Sequence, residues 1–121
     1  MGWLVGSRNT GTMASEAMLT ATFSALADPT RREILRRLSA GELSVGELAG
    51  PLEMSWPAVT KHLKVLEAAG LLKRRREGRR HVVNLDAKPI QGVQEWLDFY
   101  REFWEGSLDR LAEYLENETR D

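Results

Sequence analysis

The sequence predicts a mainly α-helical domain with a small β-hairpin. Three observations carry that expectation. Apolar residues recur at spacings of three and four through most of the chain. Helix-capping residues, Asp28 followed by Pro29, Ser44 and Ser55, stand ahead of three of those stretches. Residues 71–85 read instead as two short runs around a glycine turn, Glu77-Gly78-Arg79.

Residues 1–15 hold three Gly, two Ser and two Thr without periodicity, and are expected to be disordered or extended, with a second initiator at Met13. A first helix is expected from about Glu16 to Ala27, with Leu19, Phe23 and Leu26 on one stripe. Asp28 then caps a second helix. Pro29 suits its first position, where a backbone N–H has no partner anyway. Ile34, Leu35 and Leu38 point inward there, Arg31, Arg32, Arg36 and Arg37 lie on the other faces, and Gly41 closes the segment. Ser44 caps a third, short helix and pairs with Glu47 as a capping box. Gly50-Pro51 distorts or ends it near Leu52. Glu53-Met54 make the turn, and Ser55 caps a fourth helix whose buried stripe is Val59, Leu63 and Leu66. Gly70 stops that helix. Strands are expected over about Leu71–Arg76 and Arg80–Leu85, then one long helix from about Pro89 to Glu118.

At 121 residues the chain is about one domain, with 42% hydrophobic and 29% charged residues. No apolar run approaches the roughly 20 residues of a membrane span, so no membrane partner is expected. Trp3-Leu4-Val5 is too short for a signal-peptide core, and the chain is expected to stay in the cytoplasm. With no cysteine, disulfides and thiolate metal sites are excluded. The net charge of −1 is unevenly spread. Trp56–Val82 carries eight Lys/Arg against two Glu, whereas Asp86–Asp121 carries four against ten acidic residues. A basic middle beside an acidic tail suggests a face for a polyanion, although two ordinary solvated surfaces would look similar.

Two short helices, a tight turn and a basic hairpin are the parts that place a helix in the DNA major groove and grip the backbone beside it. Opposite Val59, Leu63 and Leu66, the fourth helix turns Trp56, Thr60, Lys61 and Lys64 outward, with Ser55 and Ala58 at its start. Lys can donate to guanine, Thr can bond several base edges, and small apolar groups can touch a thymine methyl. Lys64 sits further along and suits a phosphate. Strand alternation divides the hairpin's basic residues between two faces. Arg75 and the tip residues Arg79 and Arg80 are the candidates for phosphates or the minor groove. Alone, that run reads equally well as a charge-defended edge strand.

The segments Leu26-Ala27-Asp28-Pro29-Thr30-Arg31-Arg32-Glu33-Ile34-Leu35, Glu47-Leu48-Ala49 and Val59-Thr60-Lys61-His62-Leu63-Lys64-Val65-Leu66 resemble the ArsR-type winged helix-turn-helix repressors. So does the continuation Glu67-Ala68-Ala69-Gly70-Leu71-Leu72, and the likeness spans roughly Thr20 to the end of the chain. The resemblance implies a homodimeric transcription factor that binds an inverted repeat in double-stranded DNA, clasped through its first and last helices. It also implies a structural or phosphate-contacting role for His62. The metal-sensing branch of that family has cysteines where this chain has Ser44 and Gly46, which do not ligate a soft metal. The last helix has no histidine for the second family site. No metal and no cofactor are therefore expected, and no residue identifies a small-molecule effector. Trp56 departs from the polar base-reading residue often found there.

The last helix repeats Ile90, Val93, Leu97, Tyr100, Trp104, Leu108, Leu111 and Leu115 at spacings of three and four, widened by Trp96, Phe99 and Phe103. A helix of about 30 residues is about 45 Å long, more than one small domain covers. A two-fold dimer covers it, each stripe supplying its own partner. Leu19, Phe23, Val93, Leu97, Tyr100, Trp104, Leu108 and Leu111 are the candidates for that interface. Alternatively, the aromatic helix captures another protein and DNA binding is residual. No nucleophile–base pair, metal cluster or phosphate loop is visible, so no catalysis is expected.

Overall fold

The structure, a computed structural model, describes the backbone of residues 11–120 and the side chains of residues 16–119. The expected disorder of residues 1–10 lies outside that span. Helix α1 runs Gly11–Leu26, beginning earlier than the sequence predicts. Asp28 ends the link to α2, Pro29–Leu38, where its Oδ1 accepts the N–H groups of Thr30 at 2.8 Å and Arg31 at 3.0 Å. That occupies two donors the helix cannot pair internally, and it holds the Asp28 carboxyl below the usual carboxylate range.

The arginines of α2 are more than surface charge. Arg31 Nε donates to the Ala25 carbonyl at 2.7 Å and Arg32 Nη1 to that of Leu26 at 2.6 Å, closing the carbonyl end of α1. Arg37 reaches the other way, to the carbonyls of Leu48 at 3.0 Å and Glu47 at 2.9 Å. It ties α2 to α3, Val45–Leu52. Helix α4 follows over Trp56–Ala68. The hairpin strands are β2, Leu72–Glu77, and β3, Arg80–Leu85. Glu77 pairs with Arg80, so the turn is the two residues Gly78 and Arg79 rather than the three expected. Gly78, at φ 60°, takes the first central position that a II′-type hairpin reserves for glycine.

A strand the sequence reading did not predict completes the sheet. β1, Leu43–Ser44, pairs antiparallel with β3 through Leu43↔Val83 and Ser44↔Val82, giving the order β1-β3-β2. Ile34, Leu48, Val59, Leu63, Leu66 and Val83 are fully buried in one core under this sheet. The core fixes α3, α4 and the hairpin as one body.

The long last helix is two helices, α5 (Lys88–Asp98) and α6 (Arg101–Arg120). At the junction Phe99 N–H bonds the Trp96 carbonyl at 3.2 Å and Tyr100 N–H that of Leu97 at 2.9 Å. These three-residue closures tighten the chain locally without proline or glycine. Tyr100 there sits edge-on to both Trp96 and Phe99, with ring centroids 5.0 Å apart in each case. α5 packs on α1, where Phe23 meets Trp96 edge-to-face at 5.4 Å.

Candidate nucleic-acid interface

Three caps aim α3 and α4. Ser44 Oγ accepts the Glu47 N–H at 3.0 Å, and Glu47 Oε1 accepts the Ser44 N–H at 2.8 Å. This is the reciprocal capping box predicted for that spacing. Glu53 takes a left-handed φ of 55°, turning the chain sharply between the helices. Ser55 Oγ then accepts the Ala58 N–H at 3.3 Å, and Pro57 lies in the first turn of α4, where its missing N–H costs nothing.

With Val59, Leu63 and Leu66 buried, α4 has its opposite side free. Ser55, Trp56, Lys61 and Lys64 are exposed, and Ala58 and Thr60 are half-buried. Neither Lys61 nor Lys64 makes an ion pair among the described residues. His62 is turned differently. It is half-buried, and its Nδ1 lies 3.5 Å from Arg31 Nη1, joining α4 to α2. His62 thus lies against α2.

The wing arginines divide. Arg75 Nη2 contacts Glu42 Oε2 at 3.0 Å and Glu77 Oε2 at 2.8 Å. The two carboxylates, Glu77 foremost, raise its already high pKa, and Arg75 in turn lowers that of Glu77. Arg80 Nη2 meets Glu47 Oε1 at 3.0 Å. Glu47 is held below the usual glutamate range, chiefly by the Ser44 backbone N–H, then by the Ser44 hydroxyl, with smaller help from Arg80. Arg74 pairs with Glu67 at 2.9 Å and Lys73 with Asp86 at 3.9 Å. Arg79, at the tip, has no ion pair among the described residues. Lys61, Lys64 and Arg79 are therefore the predicted cations most accessible to a phosphate, whereas Arg75 and Arg80 must first exchange a carboxylate. Nothing local in the sequence signals the Arg75–Glu42 and Arg80–Glu47 pairs, whose partners are 33 residues apart.

Ser44 and Gly46 have other work than metal ligation. Ser44 is a cap. A methyl group placed on Gly46 would lie 3.6 Å from Cζ2 of Trp56, so the indole rests over this glycine. Trp56 also lies beside His81 on β3, with ring centroids 6.2 Å apart and planes at 87°.

The second candidate surface lies on α1, α5 and α6. Leu19 and Val93 are half-buried, whereas Phe23, Leu97, Tyr100, Trp104, Leu108 and Leu111 are exposed in the single chain. Phe103 is 74% exposed and Phe99 66%. Exposed apolar side chains in this number are what interaction sites present. No helix among the described residues is long and apolar enough to cross a membrane.

Comparison with known proteins agrees with this geometry. A family profile described as "Helix-turn-helix domain" matches residues 26–75, which end within the first hairpin strand. The chain is 43% identical over 99 residues to the HTH-type transcriptional regulator Rv2034 of Mycobacterium tuberculosis, covering 82% of this chain and 90% of that one. It is 32% identical over 75 residues to the transcriptional repressor SdpR of Bacillus subtilis, covering 62% of this chain and 83% of the repressor. A crystal structure of an ArsR family transcriptional regulator superposes with a TM-score of 0.69 at 40% identity, covering 74% of this chain and 93% of that chain. At that identity, coverage and structural similarity, this chain belongs to the ArsR family of winged helix-turn-helix transcriptional regulators.

Proposed function

We propose that the protein is a cytoplasmic homodimeric repressor that binds an inverted-repeat operator in double-stranded DNA. It acts by occupying DNA rather than by catalysis. Residues 16–121 form one winged helix-turn-helix domain, with α5 and α6 serving dimerisation. The observation that carries the reading is the outward side of α4, with Trp56, Thr60, Lys61 and Lys64 on a helix anchored by three fully buried residues, together with Arg79 at the hairpin tip, which makes no ion pair among the described residues. Phosphate contacts from Lys64 and Arg79 supply affinity, while Ala58, Thr60 and Lys61 meet base edges. Arg75 and Arg80 support the wing.

The apolar surface on α1, α5 and α6 supports pairing of two copies. A two-fold contact sets the α4 helices at the separation of successive major grooves, about 34 Å. The acidic residues of α6 then face away from the duplex. The test is a fluorescence anisotropy titration against DNA from upstream of the gene at several salt concentrations. Affinity falling steeply with salt supports the reading, and salt-insensitive or absent binding contradicts it. The exposure of Phe99 and Phe103 favours a second reading, capture of another protein by the C-terminal helices. A solution mass of twice 13.7 kDa supports the dimer, whereas a monomer that retains a partner protein supports the alternative.

A further inference from the structure

Among the large apolar side chains exposed on the described residues, Trp56 stands apart from the α1–α5–α6 surface. It opens α4, directly after the Ser55 cap, and is 51% exposed on the charged side of the molecule. Neither its position nor its exposure serves the core. Its neighbours hold it in place. The atoms of the indole nearest a methyl built on Gly46 are Cζ2 at 3.6 Å and Nε1 at 3.9 Å, so the nitrogen-bearing edge is turned toward the start of α3. The His81 ring stands beside it, the two planes nearly perpendicular. The residue still keeps about half of its surface exposed, at the helix turn that meets base edges in a major groove.

In that groove the one apolar feature that varies with sequence is the thymine 5-methyl group. A ring whose nitrogen edge is turned inward is poorly placed to donate to a phosphate and well placed to cover a methyl. We propose that Trp56 is a specificity-determining residue that reads a 5-methylpyrimidine in each half-site, Gly46 and His81 acting as its backing. The inference rests on the DNA-binding reading above and adds the base class that the first turn of α4 selects. Gly46 contributes by having no side chain to push the indole outward. His81 contributes by limiting its swing toward the wing.

The test uses the full-length protein and a duplex selected by it from a random pool, with deoxyuridine replacing thymidine one position at a time. Removing one methyl contact is expected to weaken binding about fourfold, and symmetric removal in both half-sites about fifteenfold. In Trp56→Ala, checked for an unchanged circular dichroism spectrum and solution mass, the same deoxyuridine duplex and its thymidine parent are expected to bind equally. Trp56→Phe, which keeps a ring and lacks the N–H, is expected to retain most of the discrimination. The inference is overturned if no deoxyuridine position weakens the native protein. It is also overturned if Trp56→Ala keeps the full methyl effect, which would assign the methyl to Ala58 or Thr60. Loss of affinity for all sequences alike in Trp56→Phe overturns it too, since that outcome assigns the indole N–H to a phosphate. Each of these leaves salt-dependent binding intact, whereas failure of the DNA-binding reading removes binding to every duplex.

Discussion

Helices α4 and α6 carry the same sequence signal and meet opposite fates. Both have an apolar stripe at spacings of three and four. In α4 the stripe, Val59, Leu63 and Leu66, is fully buried by its own chain. In α6 the stripe, Leu108, Leu111 and Leu115, is more than half exposed. Periodicity therefore tells which face of a helix seeks cover and leaves open which molecule provides it. Under α4 the covering surface exists within the chain, in α3 and the sheet. For α6 no such layer exists among the described residues, and the proposed dimer supplies it.

The sharpest way to break this contrast is to damage each stripe in turn. Leu63→Ala is expected to cost about 2–5 kcal/mol of folding stability, read by denaturant unfolding, because a fully buried leucine leaves a cavity. Leu108→Glu with Leu111→Glu is expected to leave helix content nearly unchanged, halve the solution mass and weaken DNA binding by at least tenfold through loss of the second reading head. If instead the double variant unfolds like Leu63→Ala, the α6 stripe belongs to the chain's own core.

A finer contrast divides the cations of α4 from those of the wing. Lys61→Ala is expected to cost about 1–3 kcal/mol on the selected duplex and much less on random DNA, with relaxed preference at its base pair. Arg79→Ala is expected to weaken binding to both DNAs alike and to lower the salt slope by about one per contact. Identical behaviour of the two variants on the two DNAs would dissolve the division between base reading and backbone positioning.

The smallest expected effect concerns Glu47, which belongs to both regions. Glu47→Gln keeps a side chain able to complete the capping box and removes the charge opposite Arg80. Folding stability is expected to change little, because the pair is exposed and screened by solvent. DNA affinity is expected to rise slightly and its salt slope to steepen, since Arg80 then contacts phosphate without giving up a carboxylate. An unchanged slope would mean that Arg80 stays away from the duplex. The lowered pKa of Glu47 gives a matching acid effect. Its charged form is favoured by folding, so that contribution is complete above the ordinary glutamate range and is lost as pH falls through the lower folded-state value.

Features legible in the sequence were those that act over a few residues. Asp28, Ser44 with Glu47, and Ser55 announced their helices because capping joins neighbours in the chain. The buried stripe of α4 and the hairpin were legible for the same reason. What escaped depends on partners far along the chain. β1 is two residues long, too short to alternate, and becomes a strand by pairing with Val82 and Val83. The Arg75–Glu42 and Arg80–Glu47 pairs join segments that only the folded sheet brings together. The neighbour of His62 is Arg31, on another helix. The interruption at Phe99 carries no proline or glycine, so no backbone signal marked it; its i→i+3 bonds are tertiary detail. In the candidate site, the outward cations of α4 were visible from composition and spacing, whereas the carboxylate pairing of Arg75 and Arg80 was not.

The central claim is that two chains, joined through α1, α5 and α6, present two α4 helices to one duplex. Sedimentation equilibrium of the protein with the selected full-length duplex tests it directly. The account predicts a complex of two chains per duplex, assembled from a free protein that already sediments at twice 13.7 kDa. A single chain per duplex at full affinity, drawn from a free monomer, would contradict it.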